Sequence, residues 1–452
     1  MDSIGKGEIL KRAKDENVTL VNLQFSDMQG MAKAVTIPST KLADALESGV
    51  WFDGSSVEGF TRIYESDMLL IPDLSTYSQI PWMSDENGST ARIICDVHMP
   101  DGKPFGGDPR YVLKKVLAEA KDAGYIYNTG PELEFFLFKK ENGTIKTSAD
   151  KKIEPHDRGQ YFDLVLDLGF EVRREIISTL QKMGLDVEVS HHEVAPGQHE
   201  IGFKYGDALA TADRAMTLKI VMKAIAAKHG LHATFMPKPL TGVNGNGMHV
   251  HQSLFTPAGE NAFYDSSDKY KLSKIAYSFL GGQMKHVKAM AALLNPTVNS
   301  YKRLVPGYEA ATYICWANQN RSALIRVPRY CPGKEKSTRM EIRCPDPSAS
   351  PYLAFAVLLK AGLDGMKNNM AAPEPVEENV FEFDEAALER RKIDTLPHSL
   401  WQSLKALKED PVICSVLGED LLQKYLHAKT KEWDSFRTTV TDWETREYLE
   451  RV

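Results

Sequence analysis

The stretch Gly130-Pro131-Glu132-Leu133-Glu134-Phe135-Phe136-Leu137-Phe138 predicts a β-strand with carboxylates on one side and apolar side chains on the other. Successive side chains of a strand alternate between its two faces, so Glu132 and Glu134 point the same way. Two anionic groups this close repel each other unless a cation or a proton lies between them. An exposed sheet face with two solvated glutamates explains this segment as well as a cation site does.

Two further stretches concentrate histidines. Ser190–Glu200 contains three imidazoles and two carboxylates around a Pro-Gly turn, which fits a polar loop as well as a metal site. Asn244–His251 places His249 and His251 on one face of a predicted strand, behind glycines that let a ligand approach the backbone. A lone His-X-His pattern is a weak signal, because satisfied structural histidines are at least as common.

A fourth stretch, Arg339–Cys344, predicts a half-buried strand with a charged face, although a surface ladder of paired charges explains it as readily. Together the four stretches are rich in glutamate, with one or two histidines and no thiolate. Such hard oxygen ligands suit Mg²⁺ or Mn²⁺ better than zinc. Basic residues cluster just downstream, at Arg303, Arg321, Arg326, Lys336, Arg339 and Arg343. Divalent ions facing an arginine cluster are suited to holding transferred phosphoryl groups.

Several enzyme classes are excluded by missing motifs. The chain has no GxxxxGK[ST] loop, so it is not a P-loop enzyme, and it has no kinase-type or GxSxG signature. The residues by themselves therefore indicate a metal-dependent phosphoryl-transfer enzyme or a dinuclear hydrolase. The hydrolase interpretation explains the arginine cluster less well.

The composition is that of an ordinary globular protein. The 452 residues include 55 basic and 61 acidic side chains, for a net charge of −6, and 42% are apolar, which excludes disorder as the main state. The mild acidity argues against a nucleic-acid partner. No run approaches the ~18 apolar residues of a membrane span, and the N-terminus is too charged for a signal peptide. Five scattered cysteines without a CxxC pattern predict a reducing cytoplasmic location.

The Pro- and Gly-rich segment Met99–Gly107 is the clearest domain boundary. Strand patterns dominate before it, with a hairpin predicted over residues 18–37 and a helix ending at Ser48. After it, Asp108-Pro109 is predicted to cap a helix that continues to Gly124. Strands and helices then alternate, and helices dominate from Pro397 onward.

The ordered motifs together resemble glutamine synthetase of the bacterial and archaeal type I. They are Asp53-Gly54-Ser55-Ser56, Glu65-Ser66-Asp67-Met68, the Gly130 strand, His192–Glu200, Asn244–His249, Asn295-Pro296-Thr297 through Gly307-Tyr308-Glu309-Ala310, and Glu341-Ile342-Arg343 before Pro345-Asp346-Pro347. The resemblance implies an α+β fold, with an N-terminal β-grasp domain over residues 1–103 and a larger catalytic domain over residues 104–452. The catalytic domain is expected to carry a curved antiparallel sheet flanked by helices and a helical C-terminal tail.

The resemblance also implies a role for individual residues. One metal ion beside glutamate would be held by Glu134, Glu193 and Glu200, and another on the ATP phosphates by Glu132, His249 and Glu341. The glutamate site corresponds to Asn244, Gly245, Arg303, Glu309, Arg321 and Arg343. ATP contacts correspond to Glu188, Tyr205, His251, Ser253, Arg326, Lys336 and Arg339. Asp53, donated by an adjacent subunit, would bind ammonium and accept its proton, and Glu309 would close that site; Arg326 would face the phosphoryl group during transfer.

The implied reaction is that of a glutamate–ammonia ligase. ATP phosphorylates the γ-carboxylate of L-glutamate, and ammonia then displaces phosphate from γ-glutamyl phosphate to give L-glutamine. Two to three Mg²⁺ or Mn²⁺ ions per site are expected. The implied assembly is a homo-dodecamer of two stacked hexameric rings with active sites between subunits, and a PII-type protein is a candidate regulator.

Departures from the family pattern indicate a subtype. The region AAPEPVEENVFEFDEAALERRK contains no tyrosine, so no adenylylation is expected, and the chain resembles the shorter alpha subtype controlled by glutamine feedback. Arg62 matches a position tied to that feedback, although an ordinary surface arginine is the alternative. A γ-glutamyl-amine ligase of the same family is the main competing function, but such relatives tend to lose the acidic ammonium pocket, and Asp53 and Glu309 are both present. A non-catalytic relative would have lost metal ligands, and all six are present.

Overall fold

The computed structural model describes residues 5–55, 57, 66–147, 153–308 and 310–452. Its N-terminal part is a small mixed sheet with strand order β2-β1-β6-β4-β3, and the short β5 pairs with β6. The strands are β1 (Val18–Ser26), β2 (Ala32–Pro38), β3 (Val50–Asp53), β4 (Asp67–Pro72), β5 (Ser78–Gln79) and β6 (Ser89–His98), with helices α1 (Lys6–Asp15) and α2 (Leu42–Ser48).

The pairing of these strands confirms the predicted β-grasp arrangement. Strands β1 and β2 form the expected antiparallel hairpin, and β1 then pairs in parallel with β6. At the hairpin turn Gly30 has φ of +78°, and a Cβ there would lie 2.7 Å from the Cα of Ser350. A glycine is therefore needed where the hairpin tip packs against the larger part of the chain.

The larger part is built on a second sheet, with strand order β15-β16-β17-β13-β7-β10-β9; β8, β11 and β12 also pair with β7. Its strands are β7 (Ile126–Glu141), β8 (Thr144–Ile145), β9 (Val187–His192), β10 (Gln198–Phe203), β11 (Gly206–Asp207), β12 (Leu231–Thr234), β13 (Met248–Phe255), β15 (Trp316–Asn318), β16 (Ile325–Val327) and β17 (Met340–Ile342). Two further short strands, β14 (Tyr313–Ile314) and β18 (Asp394–Thr395), pair with each other. The predicted antiparallel sheet is confirmed except at its edge, where β15 and β16 run parallel.

One face of this sheet is covered by helices. Of the helices after residue 103, α9 (Glu385–Arg391) and α12 (Asp442–Tyr448) have no buried residue. The others contribute to the apolar core on this face: α3 (Pro109–Asp122), α4 (Phe170–Lys182), α5 (Ala208–Lys228), α6 (Lys274–Leu294), α7 (Ser300–Arg303), α8 (Pro351–Lys367), α10 (Leu400–Glu409) and α11 (Pro411–Arg437). Leu133, Phe135 and Leu137 of β7 are fully buried in the same apolar core as these helices. These three odd-numbered side chains therefore face the helices, and Glu132 and Glu134 share the other face with Phe136 and Phe138, which are buried in a separate small apolar cluster. Among the described residues, no helix is long and apolar enough to cross a bilayer.

A buried ionic group joins the two parts of the chain. Asp108 caps α3 as predicted, since its Oδ1 accepts from the Arg110 backbone N–H at 2.9 Å. The Arg110 guanidinium donates to Asp73 (2.7 Å) and Asp96 (2.6 Å) beside the first sheet and to Asp213 (3.0 Å) on α5. We call these four residues the Arg110 cluster. Because a buried cation needs its carboxylates close, the cluster helps to fix the first sheet against the second.

Candidate active site

The register of strand β7 with its neighbours places acidic residues side by side. Glu132 lies opposite His249 on β13, and Glu134 lies opposite Glu200 on β10. Directly paired residues of adjacent strands project from the same face of a sheet. Four side chains from three strands thus share the face away from the helical core.

The same row continues across the next strands. His251 on β13 lies opposite Glu341 on β17, and Glu341 in turn lies opposite Arg326 on β16. Glu341 is fully buried, and both Arg326 and Arg343 donate hydrogen bonds to its carboxylate. A cation-binding face and part of the basic cluster therefore meet at one residue.

The first group of potential metal ligands centres on Glu132 and Glu341. The Nδ1 atom of His249 lies 3.5 Å from Glu132 Oε2 and 3.7 Å from Glu341 Oε1. His251 is also close, with Nε2 at 2.9 Å from Glu132 Oε1, but its Nδ1 accepts a hydrogen bond from Arg339 Nε at 3.2 Å. The proton of His251 therefore lies on Nε2, directed at Glu132. His249 Nδ1 faces both carboxylates, while ligand-type atoms of His251, Glu132 and Glu341 lie within 4.8 Å of one another, so both histidines border this group.

The second group lies one strand pair away. Glu193 and Glu200 have ligand atoms within 4.8 Å of one another and of His191, whose Nε2 is 2.9 Å from Glu193 Oε1. Glu134 borders this group; its Oε2 accepts from Gln198 Nε2 and from the Gly247 backbone N–H, each at 2.9 Å. The two groups together form one acidic strip across the sheet.

The second group carries more negative charge than its surroundings balance. Burial, followed by the charge of Glu193, raises the pKa of Glu134 to about 8. Burial and the charges of neighbouring carboxylates raise the pKa of Glu200 to about 10. When buried carboxyls keep their protons next to other carboxylates, a metal cation that replaces those protons relieves the same repulsion.

In the first group, neighbouring histidines and arginines balance the negative charge of the two carboxylates. Burial raises the pKa of Glu132, but hydrogen bonds from His249 and His251 outweigh it, so the pKa lies below its ordinary value. Burial likewise raises the pKa of Glu341, but the charge of Arg343, then of both histidines and Arg326, lowers it to about 2. Glu132 and Glu341 are thus ionised and ready to bind a cation.

A cavity of about 200 Å³ opens beside the first group. Six of the side chains predicted to contact ATP line it together with Glu132: Glu188, Tyr205, His251, Ser253, Lys336 and Arg339. These residues come from three strands (β7, β9 and β13), from the segment between β10 and β11, and from the loop before β17, so the fold gathers them from distant parts of the sequence.

A second set of predicted residues surrounds Glu134. Arg303 is buried, with Nη1 donating to the Cys344 carbonyl at 2.8 Å. A Cβ on Gly247 would lie 2.7 Å from Arg303 Nη2 and 3.2 Å from Glu134 Oε1, so the guanidinium and the carboxylate meet at this glycine. Gly245 likewise has no room for a side chain, since a Cβ there would lie 2.2 Å from the Pro237 carbonyl oxygen. Backbone and guanidinium donors therefore lie next to the second metal-ligand group.

Comparison with known protein families agrees with this site. The family model described as the glutamine synthetase catalytic domain matches residues 106–448, and the glutamine synthetase beta-Grasp domain matches residues 17–100.

The chain belongs to the glutamine synthetase family.

Full-length relatives in the glutamine synthetase family are about half identical to this chain. The glutamine synthetase of Clostridium saccharobutylicum is 50% identical over 448 residues, covering 99% of each chain. That of Thermus thermophilus is 50% identical over 449 residues, covering 98% of each. Among solved structures, a GmaS complex with ADP is 34% identical, with a TM-score of 0.86 over 98% of this chain and 99% of the other. Plasmodium falciparum glutamine synthetase is 27% identical, with a TM-score of 0.87 over 98% of each chain.

Some residues assigned by the family resemblance lie away from the acidic strip, at its border or outside the described residues. Asp53 is exposed at the end of β3, where its Oδ1 accepts from the Ser55 backbone N–H at 2.8 Å; hydrogen bonds from the Ser55 side chain and then from its backbone lower the pKa of Asp53. Arg321 is exposed at the border of the strip, where it hydrogen-bonds Tyr161, whose ring lies 5.5 Å from that of His191. Glu309 and Arg62 lie outside the described residues.

Sequence reasoning missed His191 as part of the second group. It lies in the histidine-rich stretch but had no separate role. Its position opposite Glu200 on the β9–β10 hairpin brings it to the acidic strip. The pairing of His191 with Glu200 was not readable without the register of the two strands.

Proposed function

We propose that this member of the glutamine synthetase family ligates ammonia to the γ-carboxylate of L-glutamate at the expense of ATP, through γ-glutamyl phosphate. The observation that carries the proposal is the acidic strip, with two groups of hard oxygen ligands beside the cavity lined by the predicted ATP contacts. An acyl phosphate intermediate explains why phosphate-binding groups and an acid-substrate site are needed together.

Each active site takes two to three divalent ions, Mg²⁺ or Mn²⁺. Glu134, Glu193 and Glu200 hold one, and Glu132, His249 and Glu341 hold another. The carboxylate-dominated donor set and the raised pKa values of Glu134 and Glu200 support hard cations at these positions. When bound, the cations neutralise phosphate charge and polarise the transferred phosphoryl group.

The first step transfers a phosphoryl group to glutamate. An oxygen of the γ-carboxylate forms a bond to the γ-phosphorus of ATP, and the bond from that phosphorus to the ADP oxygen breaks. Glutamate is held by Asn244, Gly245, Arg303, Arg321 and Arg343, and the nucleotide by Glu188, Tyr205, His251, Ser253, Lys336 and Arg339. Arg326 offsets the charge of the transferred group, since its guanidinium is already directed into the strip by Glu341.

The second step needs a deprotonated amine. Asp53 of the partner subunit attracts ammonium and accepts one proton, and Glu309 closes the negative pocket. The ammonia nitrogen then bonds to the acyl carbon, the bond from that carbon to the phosphate oxygen breaks, and the departing phosphate takes the extra proton from the nitrogen to leave the neutral amide. The exposed position of Asp53, in the first sheet, supports donation to another subunit.

The finer assignments of assembly and control belong to the same proposal. The chain divides after residue 103 and assembles as a cytoplasmic homo-dodecamer of two hexameric rings. The tail beyond α11 supports contacts between rings, since Val440 and Leu449 are each about three-quarters exposed. Control is by glutamine feedback through Arg62, without adenylylation, and a PII-type protein is a candidate regulator.

The decisive experiment compares amine substrates. Purified full-length protein is assayed for ATP-dependent phosphate release and amide formation from glutamate with ammonium, and then with a panel of organic amines. Preference for ammonium supports the proposal; preference for an alkylamine would favour a γ-glutamyl-amine ligase, and no amide with any amine would refute both.

Asp53→Ala tests the ammonium step. We expect glutamine formation to fall at least about 100-fold, the lower range for a general base, while nucleotide binding is retained. Asp44→Ala is the matched control, since Asp44 is an exposed aspartate on helix α2 in the same N-terminal part of the chain. Near-normal turnover of Asp53→Ala would remove the role given to this carboxylate.

A further inference from the structure

Three residues behind the β9–β10 hairpin have no role in the proposed reaction. The side chains of Asp157, His192 and His199 are fully buried, and their ligand-type atoms lie within 4.8 Å of one another. His199 directly precedes Glu200 on β10, so the two side chains project from opposite faces of the strand. The buried group therefore lies on the core side of the hairpin that carries Glu193 and Glu200.

The contacts of His192 tie it to two oxygen acceptors. Its Nδ1 lies 2.6 Å from the Glu193 backbone carbonyl, and its Nε2 lies 2.8 Å from Asp157 Oδ1. Both ring nitrogens of His192 are therefore held by oxygen atoms, one on the backbone of Glu193 and one on Asp157. One end of this contact pair is thus fastened to the backbone of a proposed metal ligand.

The contacts of His199 exclude a third metal site here. Its Nδ1 accepts from Arg173 Nη1 at 2.8 Å, so its proton lies on Nε2, which faces Asp157 Oδ2 at 3.9 Å. A histidine that binds a metal donates its other ring N–H to an acceptor, and a guanidinium has no acceptor atom. Arg173 also donates through Nε to Ser190 Oγ at 2.8 Å, which joins α4 to β9.

The loop before α4 encloses both imidazoles closely. A Cβ on Gly159 would lie 2.6 Å from His192 Nε2, and one on Gly169 would lie 2.4 Å from His199 Cε1. Asp157 Oδ1 also accepts from the Gly197 backbone N–H in the hairpin turn at 2.9 Å. The group therefore has contacts on β9, on β10 and in the turn between them.

We propose that Asp157, His192 and His199, held by Arg173, form a positioning network that fixes the β9–β10 hairpin so that Glu193 and Glu200 meet Glu134 around one cation. This rests on the proposed function in one respect, the assignment of those glutamates as metal ligands. Metal sites tolerate displacements of only about 0.5 Å, and supporting residues behind the ligands provide that precision. The network acts through the hairpin backbone and does not touch substrate.

The test is the metal dependence of the purified full-length enzyme. His199→Leu removes the contact that ties Arg173 to β10 and leaves its guanidinium bonded to Asp167, at 2.8 Å from Nη1 to Oδ1. His199→Asn keeps an acceptor on β10, since its amide oxygen can take the place of Nδ1. We expect His199→Leu to raise the Mn²⁺ concentration for half-maximal glutamine formation, and the Kd for Mn²⁺, by about 10–100-fold, as for other residues supporting metal ligands. His199→Asn should recover most of that loss.

The matched control is His286→Leu. His286 is also buried, with Nδ1 2.6 Å from Asp410 Oδ2 and Nε2 3.0 Å from Asp364 Oδ2, and it lies on α6. It should lower thermal stability and leave Mn²⁺ affinity unchanged. If His199→Leu does not fold, Gly169→Ala displaces the same ring and should shift Mn²⁺ affinity in the same direction.

The outcomes separate this inference from the proposed function. A wild-type protein that binds Mn²⁺ but makes no glutamine would refute the function and leave the binding test in place. Wild-type Mn²⁺ affinity in His199→Leu, or an equal loss in the His286→Leu control, would overturn the network. If His199→Leu does not fold, unchanged Mn²⁺ affinity in Gly169→Ala would overturn the proposed network in the same way.

Discussion

Metal binding to the second ligand group should depend steeply on pH. In the metal-free chain the pKa values of Glu134 and Glu200 are raised to about 8 and about 10. Between pH 6 and 7 both carboxyls hold protons, and a cation that binds both must displace them. Protonated forms dominate below these pKa values, so affinity rises as the pH rises.

The size of the effect follows from the number of protons. Each proton released gives up to about tenfold in the apparent association constant per pH unit, equivalent to 1.36 kcal/mol. Two protons therefore give about 100-fold between pH 6 and 7. Above about pH 8 the metal affinity should rise less steeply with pH, because Glu134 is then already ionised before the metal binds.

Calorimetry measures this directly. Mn²⁺ is titrated into nucleotide-free protein at pH 6.5 in two buffers of different ionisation enthalpy, which gives the number of protons released. Glu200→Gln should release about one proton fewer than wild type. Asp186→Asn is the control, since this exposed carboxylate precedes the same hairpin and pairs only loosely with Lys204, at 3.4 Å.

The reasoning would be refuted by a flat affinity between pH 6 and 7, or by no proton release in the wild type. An unchanged slope in Glu200→Gln would show that the second proton comes from elsewhere.

Three further predictions concern stability and coupling. Arg110→Leu should lower the free energy of unfolding by about 3–5 kcal/mol in urea, because it leaves Asp73 and Asp213 without their guanidinium partner, while Asp96 keeps Lys114; a loss under about 1 kcal/mol contradicts this. Burial lowers the pKa of His286, but hydrogen bonds to its two aspartates outweigh this and raise it above 6.5. Its stabilising contribution is thus complete below pH 6.5 and lost as the pH rises through the raised pKa, so the melting temperature should fall less over that range in His286→Gln than in wild type. Lys238→Met removes a cation 3.9 Å from the Tyr308 ring beside the proposed glutamate site; phosphate released per glutamine formed should increase, whereas it should not in Lys302→Met.

Much of the local structure was readable from the chain. The alternation in the Gly130 strand correctly separated Leu133 and Phe135, which are in the core, from Glu132 and Glu134, which are not. The hairpin of β1 and β2 and the Asp108 cap of α3 were also predicted, because turn and capping residues act over a few positions. The acidic residues could be nominated one stretch at a time, but each stretch had an ordinary surface explanation.

Other features depend on contacts between distant segments. The Arg110 cluster joins residues up to 140 positions apart, and nothing near Arg110 in the sequence identifies its three partners. The roles of His192 and His199 are similar, since Asp157 and Arg173 approach them from a separate loop and helix. The parallel pairing of β15 with β16 was equally unpredictable from strand propensity alone.

The sequence by itself determined which side chains of a single strand share a face, because that depends only on the two-residue repeat of extended backbone. Only the tertiary structure decided that Glu134 lies opposite Glu200 and Glu132 opposite His249. A shift of one residue between strands would turn either partner into the helical core, and the register is set by packing of the whole sheet. The acidic strip is therefore a property of the assembled sheet, although each of its residues was visible in the sequence.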